Sequence, residues 1–321
     1  MQTTNNAPLA RPATAHVVVV GGGTMGADVA VVLARAQCRT TVIEPHAERA
    51  AALPARVAAN LEAAGRADCA RFVGTAATLD DVQWDDVGLV IECVPERLDI
   101  KQKLFAELVQ RAPRDAILAS NSSSFPISAI GVGLETRDRM LGLHFFMPAH
   151  LVPLVEVVLC EASAPASADA LIGFMRRCGM VPVRVARDLP GFLANRLQHA
   201  LSREAFKLID EGIATPEDVD AAVRFGFGFR FLAAGPVLQR DHAGIEVHAA
   251  AGATMYPTFC NDDHPARCLT ERAADGRHGM KTGQGFYSWN AETIAAERAR
   301  YDRLLRAGLD LLSAELPEIQ P

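Results

Sequence analysis

The sequence predicts an α/β fold: a Rossmann-type doubly wound sheet followed by an all-α C-terminal domain. Three observations predict it. Apolar, β-branched runs alternate with helix-like stretches from residue 16 to residue 185. A glycine loop stands directly between the first such run and the first helix. Beyond Asp188-Leu189-Pro190-Gly191 the alternation stops and only helical patterns follow, which places the domain boundary at 188/189. The expected division is a disordered lead-in over 1–15, a nucleotide-binding domain over 16–188 and a helical domain over 189–321.

Composition bounds the function classes. The chain has 321 residues, 50% hydrophobic and 22% charged, enough for about two domains with sizeable cores. A net charge of -6 without a lysine/arginine block argues against nucleic acid or an anionic membrane as partner. No apolar run reaches the ~18 residues of a membrane helix, and residues 1–15 lack a signal-peptide core. The seven cysteines are odd in number, scattered and without a Cys-x-x-Cys pair. They read as reduced thiols of a cytoplasmic protein, and no disulfide framework or metal site is expected.

Each element follows from local pattern. His16 to Val20 is an apolar strand, and Gly21-Gly22-Gly23-Thr24-Met25-Gly26 follows it at once, before a helix from Ala27 to Ala36. In this context Gly21 makes the tight turn, Gly23 lets a pyrophosphate approach the backbone, and Gly26 allows close helix–strand packing. A second strand, Thr40 to Ile43, ends at Glu44, 18 residues past Gly26. An acid there binds the ribose hydroxyls of NAD and repels the 2′-phosphate of NADP, although Arg49 nearby keeps NADP open. A glycine-rich turn in an unrelated α/β protein is the plainer alternative for the loop alone. Ala47 to Ala64 is a helix interrupted by Pro54, and Arg71 to Val73 a short strand. Val87 to Ile91 is a buried strand, with a helix from Leu98 to Val109 after it. Ala116 to Ala119 is a strand followed by the polar loop Asn121-Ser122-Ser123-Ser124, at the end of a strand where doubly wound sheets bind ligands. A helix over Ala166 to Cys178 and a strand over Val181 to Val185 complete the first domain. In the second, helices are expected over Phe192 to Glu211, from Thr215 onward and over 292–315, with loops at Gly226-Phe229 and Gly283-Tyr287.

Between these elements, Arg139 to Val158 contains two apolar runs joined by a turn with Pro148 and Pro153. Each carries one ionisable residue, His144 at the end of the first and Glu156 inside the second. A lone buried carboxylate is costly unless paired, and two adjacent strands bring the imidazole within reach. A carboxylate on one ring nitrogen fixes the tautomer and leaves the other free as a general base. The alternative is a satisfied core histidine and a surface glutamate.

Taken together, these motifs resemble the 3-hydroxyacyl-CoA dehydrogenase family from about residue 16 to residue 289. The carrying residues are the glycine loop at 21–26, Glu92-Cys93-Val94-Pro95-Glu96, Ser120-Asn121-Ser122-Ser123, Gly142-Leu143-His144-Phe145-Phe146, Leu154-Val155-Glu156, and Pro190-Gly191-Phe192 leading to Asn195-Arg196-Leu197. The resemblance implies an NAD-dependent dehydrogenase that forms a homodimer through its helical domain. It implies His144 as general base, Glu156 as its orienting carboxylate, and Ser123 and Asn195 as the groups that hold the reacting oxygens. Glu96, Lys101 and Asn121 match family positions near the cofactor or the domain cleft.

Three features depart from the acyl-CoA branch. Met147 stands where the motif usually has asparagine, the segment from Glu44 to Phe72 is short for a CoA-receiving helical hairpin, and residues 195–240 look more like relatives that oxidise gulonate or carnitine. Lys281-Thr282-Gly283-Gln284-Gly285-Phe286-Tyr287, in contrast, is similar to the acyl-CoA branch. The expected substrate is a 3-hydroxyacyl-CoA, held by Arg49, Arg56, Arg66 and Arg71, with a small free 3-hydroxy acid as the alternative. A crystallin-like structural role is the alternative of a different class; the presence of base, carboxylate and both polar holders favours an enzyme.

Overall fold

A computed structural model describes residues 9–321. Its first unit is built on an eight-stranded sheet in the order β3-β2-β1-β4-β5-β6-β7-β8. The strands are β1 (His16–Val20), β2 (Arg39–Ile43), β3 (Val73–Ala76), β4 (Val87–Glu92), β5 (Ile117–Ser120), β6 (Met140–Phe145), β7 (Leu154–Val158) and β8 (Val181–Val185). All neighbouring strands are parallel except β6 and β7, which are antiparallel. Every residue of β1, β4, β5 and β6 is buried. This is the reason they read as continuous apolar runs: a parallel sheet covered on both faces has no solvent side to alternate with.

Helices α1 (Thr24–Arg35), α2 (Ala47–Ala63), α3 (Leu98–Arg111), α4 (Ile127–Ile130) and α5 (Pro165–Arg177) cover the two faces. Strand order reverses between β1 and β4, which opens the ligand crevice of a doubly wound sheet at the carboxyl ends of these two strands. The glycine loop and Cys93 meet there.

Two local expectations are corrected. Helix α2 runs unbroken through Pro54. An interior proline costs ~3 kcal/mol, but Pro54 is exposed while Leu53, Val57 and Leu61 are buried on either side and hold both turns to the core. The third strand lies at Val73–Ala76, after a 3-10 turn over Ala67–Phe72, where a strand was expected at 71–73.

The lead-in expected over 1–15 falls partly on residues 1–8, outside the described residues. From Leu9 onward it is ordered structure: Leu9 is buried and Pro12–Thr14 form a 3-10 turn. The first compact unit runs to Asn195 and takes in residues 313–321. There the backbone N–H of Gln320 donates to the carbonyl of Arg177 at 2.9 Å, and Ile319 packs on Gly179.

The second unit, Arg196–Leu312, is helical: most of α6 (Ala194–Asp210), then α7 (Pro216–Ala222), α8 (Gly228–Arg230), α9 (Leu238–Ala243), α10 (Ile245–Met255), α11 (Arg267–Ala274) and α12 (Ala291–Leu311). At residues 226–229, expected as a loop, the backbone kinks at Gly226, whose φ -97 and ψ -115 are not helical, between the turn that begins at Val223 and α8. Thr215 caps α7 by accepting from the N–H of Asp218, as its sequence predicts. Among the described residues no helix is long and apolar enough to cross a membrane.

Candidate active site

The antiparallel pairing of β6 with β7 sets the site. In that register His144 stands directly opposite Glu156, so both side chains leave the same face of the sheet. His144 Nδ1 lies 2.7 Å from Glu156 Oε2, and both residues are buried, at 3% and 0% exposure. Glu156 Oε1 accepts from the backbone N–H groups of Leu193 and Ala194 at 2.9 and 2.8 Å, where the chain enters α6. Burial alone raises the pKa of this carboxyl; the bonds from His144, Ala194 and Leu193 outweigh it and leave the pKa lowered. An ionised Glu156 accepts the hydrogen bond of Nδ1–H, which leaves Nε2 to accept.

That second nitrogen faces Ser123 Oγ at 3.0 Å. Phe146 and Phe192 flank the ring edge-on, with centroids 4.6 and 5.5 Å away. Asn121 Oδ1 accepts from the N–H of Phe145 at 2.8 Å and ties the end of β6 to the end of β5. His144, Ser123 and Asn195 share a cavity of about 380 Å³ with Met25, Asn121 and the exposed Met147. A proton acceptor, a hydroxyl and an amide on one cavity can hold an oxygen and remove its proton.

The glycine loop stands at the same crevice. Gly21 has φ +106, and a Cβ there would meet the carbonyl oxygen of Cys93 at 2.7 Å. At Gly26 a Cβ would sit 1.8 Å from the carbonyl of Gly21, so only glycine lets α1 start this close to β1. Gly23 faces open space on its Cβ side, with the first N–H groups of α1 beyond it, a cradle for a pyrophosphate. Glu44, buried at the end of β2, accepts from Gly22 N–H at 3.1 Å and His46 N–H at 2.9 Å, and from Arg49 at 2.9 Å. Burial raises its pKa, and Arg49 with the two N–H groups more than offsets that. These residues fit a dinucleotide.

Sequence reasoning noticed Glu92 only as part of a motif. It lies fully buried at the end of β4 and bonds Lys101 Nζ at 2.8 Å, Ser120 Oγ at 2.6 Å and Val94 N–H at 2.8 Å. Its signal was an acid ending an apolar strand. Asp28, buried in α1, was missed altogether: it accepts from Arg56 at 2.8 Å and lies 3.5 Å from His150 Nδ1. An acid inside the run Ala27–Val32 was the available sign.

A nucleotide cradle beside a buried histidine–carboxylate pair defines an NAD-dependent oxidoreductase. The family model described as 3-hydroxyacyl-CoA dehydrogenase, NAD binding domain, matches residues 16–189, and that for its C-terminal domain matches residues 191–289. The chain belongs to the 3-hydroxyacyl-CoA dehydrogenase family and uses NAD. It is 32% identical over 293 residues to 5-formyl-3-hydroxy-2-methylpyridine 4-carboxylate 5-dehydrogenase of Mesorhizobium japonicum, covering 89% of this chain and 95% of that one. It is 32% identical over 291 residues to human mitochondrial hydroxyacyl-coenzyme A dehydrogenase, covering 85% and 91%. A solved structure of a pyridine dehydrogenase of the first name, described as an NAD+ dependent dismutase, superposes with a TM-score of 0.87 at 28% identity, covering 92% and 98%.

Proposed function

We propose that the chain interconverts a small, free hydroxy acid and its carbonyl form, with His144 as general base, Glu156 as its orienting carboxylate, and Ser123 and Asn195 holding the reacting oxygen. Gly21, Gly23, Thr24, Met25 and Gly26 receive the pyrophosphate, and Glu44 the adenosine ribose. NAD, when bound, supplies the hydride acceptor. The protein's part is to place the carbinol oxygen on Ser123 and His144 so that its proton leaves to Nε2 as the carbonyl forms.

The observation that carries the choice of a free acid over a CoA thioester is the fate of four arginines. CoA brings phosphates that need cations gathered in one place. Arg49 is spent on Glu44, and Arg56 on Asp28 and the carbonyl of Thr24. Arg71 pairs with Asp68 and lies over Phe72. Arg66 places its charge near Arg35, at the opposite end of α1 from the glycine loop. The segment between β2 and β3 holds one long helix and a 3-10 turn, with no second long helix to pack beside α2. The similarity to the pyridine dehydrogenase, whose substrate name carries a carboxylate next to a formyl group, supports the same direction.

The thioester reading keeps the support of the human relative. Comparing acetoacetyl-CoA with acetoacetate and with carboxylated aromatic aldehydes, each with NADH, decides between them. Free acids or aldehydes should equal or surpass the thioester in kcat/KM. A thioester advantage of at least ~10²-fold, about 2.7 kcal/mol, would restore CoA as the substrate.

We also propose that the chain works as a homodimer through its second unit. Among described residues 196–312, Ala234 and Cys268 are the only buried hydrophobic residues, while Phe225, Phe229 and Val237 are largely exposed. Apolar helix faces of that extent call for a partner, and a two-fold copy is the commonest one. Light scattering at micromolar concentration should give a dimer mass; a monomer would reject this.

A further inference from the structure

Another buried carboxylate, Asp28, stands one helical turn from Met25 and takes no part in the proton transfer. It lies in the apolar stretch of α1 and is 1% exposed. Its Oδ1 accepts from Arg56 of α2 at 2.8 Å, and the same guanidinium donates to the carbonyl of Thr24 at 3.2 Å. Its Oδ2 has no hydrogen-bond donor from the protein. What faces it, at 3.5 Å, is Nδ1 of His150, which is likewise buried and without a hydrogen bond from the protein. A carboxylate oxygen and a ring nitrogen facing each other attract when the nitrogen carries a proton, so the pair selects a His150 ring with Nδ1–H. Helix α1, helix α2 and the turn between β6 and β7 therefore meet at one carboxylate.

On stability alone an apolar residue at this place in α1 is less costly. Burial strips a carboxylate of its hydration, and the protein hydrogen-bonds only one of the two oxygens of Asp28. Arrangements of this kind persist where they serve a task. The place of His150 in the chain points to the task. The chain leaves β6 at Phe145, whose N–H is held by Asn121, and Phe146 then packs edge-on against the His144 ring. Met147 follows on the rim of the active cavity, 66% exposed. The turn closes at Pro148, whose carbonyl accepts from the N–H groups of Leu151 and Val152 at 3.0 Å each. Phe146 and Met147 are thus strung between two polar anchors, Asn121 on one side and Asp28, through His150, on the other. On α1, Met25 and Asp28 are an i, i+3 pair on one face of the helix, and Met25 lines the same cavity.

We propose that Asp28, acting through His150, is a positioning residue: it holds the β6–β7 turn on α1 and so sets the wall of the active cavity that Met25, Phe146 and Met147 form. His150 is the tie and stays off the reacting atoms. The proposal rests on the reading of this cavity as the place where His144 meets the substrate.

The test uses three variants of the full-length protein. His150→Leu removes the tie, and Asp28→Ala breaks it from the other side. His150→Asn keeps an amide N–H close to the place of Nδ1 and so keeps a donor for Oδ2. Two readouts are followed: the carbon-13 methyl signals of Met25 and Met147, and kcat/KM with NADH and the fastest of acetoacetate, acetoacetyl-CoA and the carboxylated aldehydes. His150→Leu and Asp28→Ala should shift the Met147 methyl signal and lower kcat/KM by roughly 10- to 100-fold, the scale of a reacting group displaced by about an ångström. His150→Asn should recover most of that loss and return the signal towards its position in the unaltered protein. Unmoved methyl signals with unchanged kcat/KM in His150→Leu would make the cluster a core pair only and overturn the proposal. Equal losses in His150→Leu and His150→Asn would overturn it as well, because bulk and not the donor would then hold the turn. A shifted signal with unchanged kcat/KM would also overturn it, since the wall would then not govern the reaction. His144→Gln, measured alongside, separates the two readings. A slowed His144→Gln beside a normal His150→Leu strikes this proposal alone, whereas normal rates in both strike the reading of the cavity as well.

Discussion

His144→Gln is expected to lower kcat by roughly 10²–10⁴, the usual contribution of a positioned general base. Glutamine keeps the approximate bulk between Phe146 and Phe192 but has no nitrogen that can take a proton at neutral pH. Glu156→Gln is expected to lower kcat in the same direction and by less. Its amide oxygen can still accept from Leu193 and Ala194, but its NH2 then faces Nδ1 and favours the tautomer with the proton on Nε2, and it carries no charge to match the imidazolium that forms during turnover. Steady-state kinetics at saturating substrate reads both. Near-normal turnover in His144→Gln would return the pair to a structural role in the sheet.

The second large effect concerns stability. Lys101 and Glu92 are 1% and 0% exposed and 2.8 Å apart. Glu92→Ala leaves the lysine with Glu96 and a long contact to the carbonyl of Val94, and also strips Ser120 Oγ and Val94 N–H of their acceptor. Breaking a buried pair from one side typically costs about 3–5 kcal/mol, and Glu96, still 3.1 Å from the ammonium, keeps the expected cost at the lower end of that range. Replacing both residues by apolar ones of similar volume, as in Glu92→Leu with Lys101→Met, removes the stranded charge. The double variant should therefore be less destabilised than Glu92→Ala. Urea denaturation measures all three proteins. A loss under ~1 kcal/mol for Glu92→Ala would mean that water reaches Lys101 and the pair is worth only what a surface pair is worth.

What the sequence made readable was local. The run from His16 through the glycine loop to Glu44 is written in adjacent residues, because burial on both sheet faces leaves unbroken apolar runs and the close approach of α1 to β1 demands Gly26. His144 and Glu156 were readable as neighbours because a short turn joins their strands. Their direct cross-strand register, with His144 still inside β6, needed the structure. The Glu92–Lys101–Glu96 brace was not readable: a lysine in a helix ordinarily points to water, and only the position of α3 beside the end of β4 buries this one. The continuity of α2 is not written locally either: tertiary burial of Leu53, Val57 and Leu61 overrules the local penalty of Pro54. In the second unit α10 carries little amphipathic pattern of its own, and in the first unit the return of Ile319 to Gly179 is a contact between residues far apart in the chain.

The central claim is that His144 removes the proton of the hydroxyl that loses hydride and takes no part in holding the cofactor. Single-turnover kinetics with enzyme preloaded with NADH, followed by loss of the NADH signal on mixing with the keto acid, isolates that step from cofactor binding. The account predicts that His144→Gln binds NADH as the unaltered protein does and transfers hydride at least ~10²-fold more slowly. Equal single-turnover rates, or a slowing matched by an equal loss of NADH affinity, would contradict it.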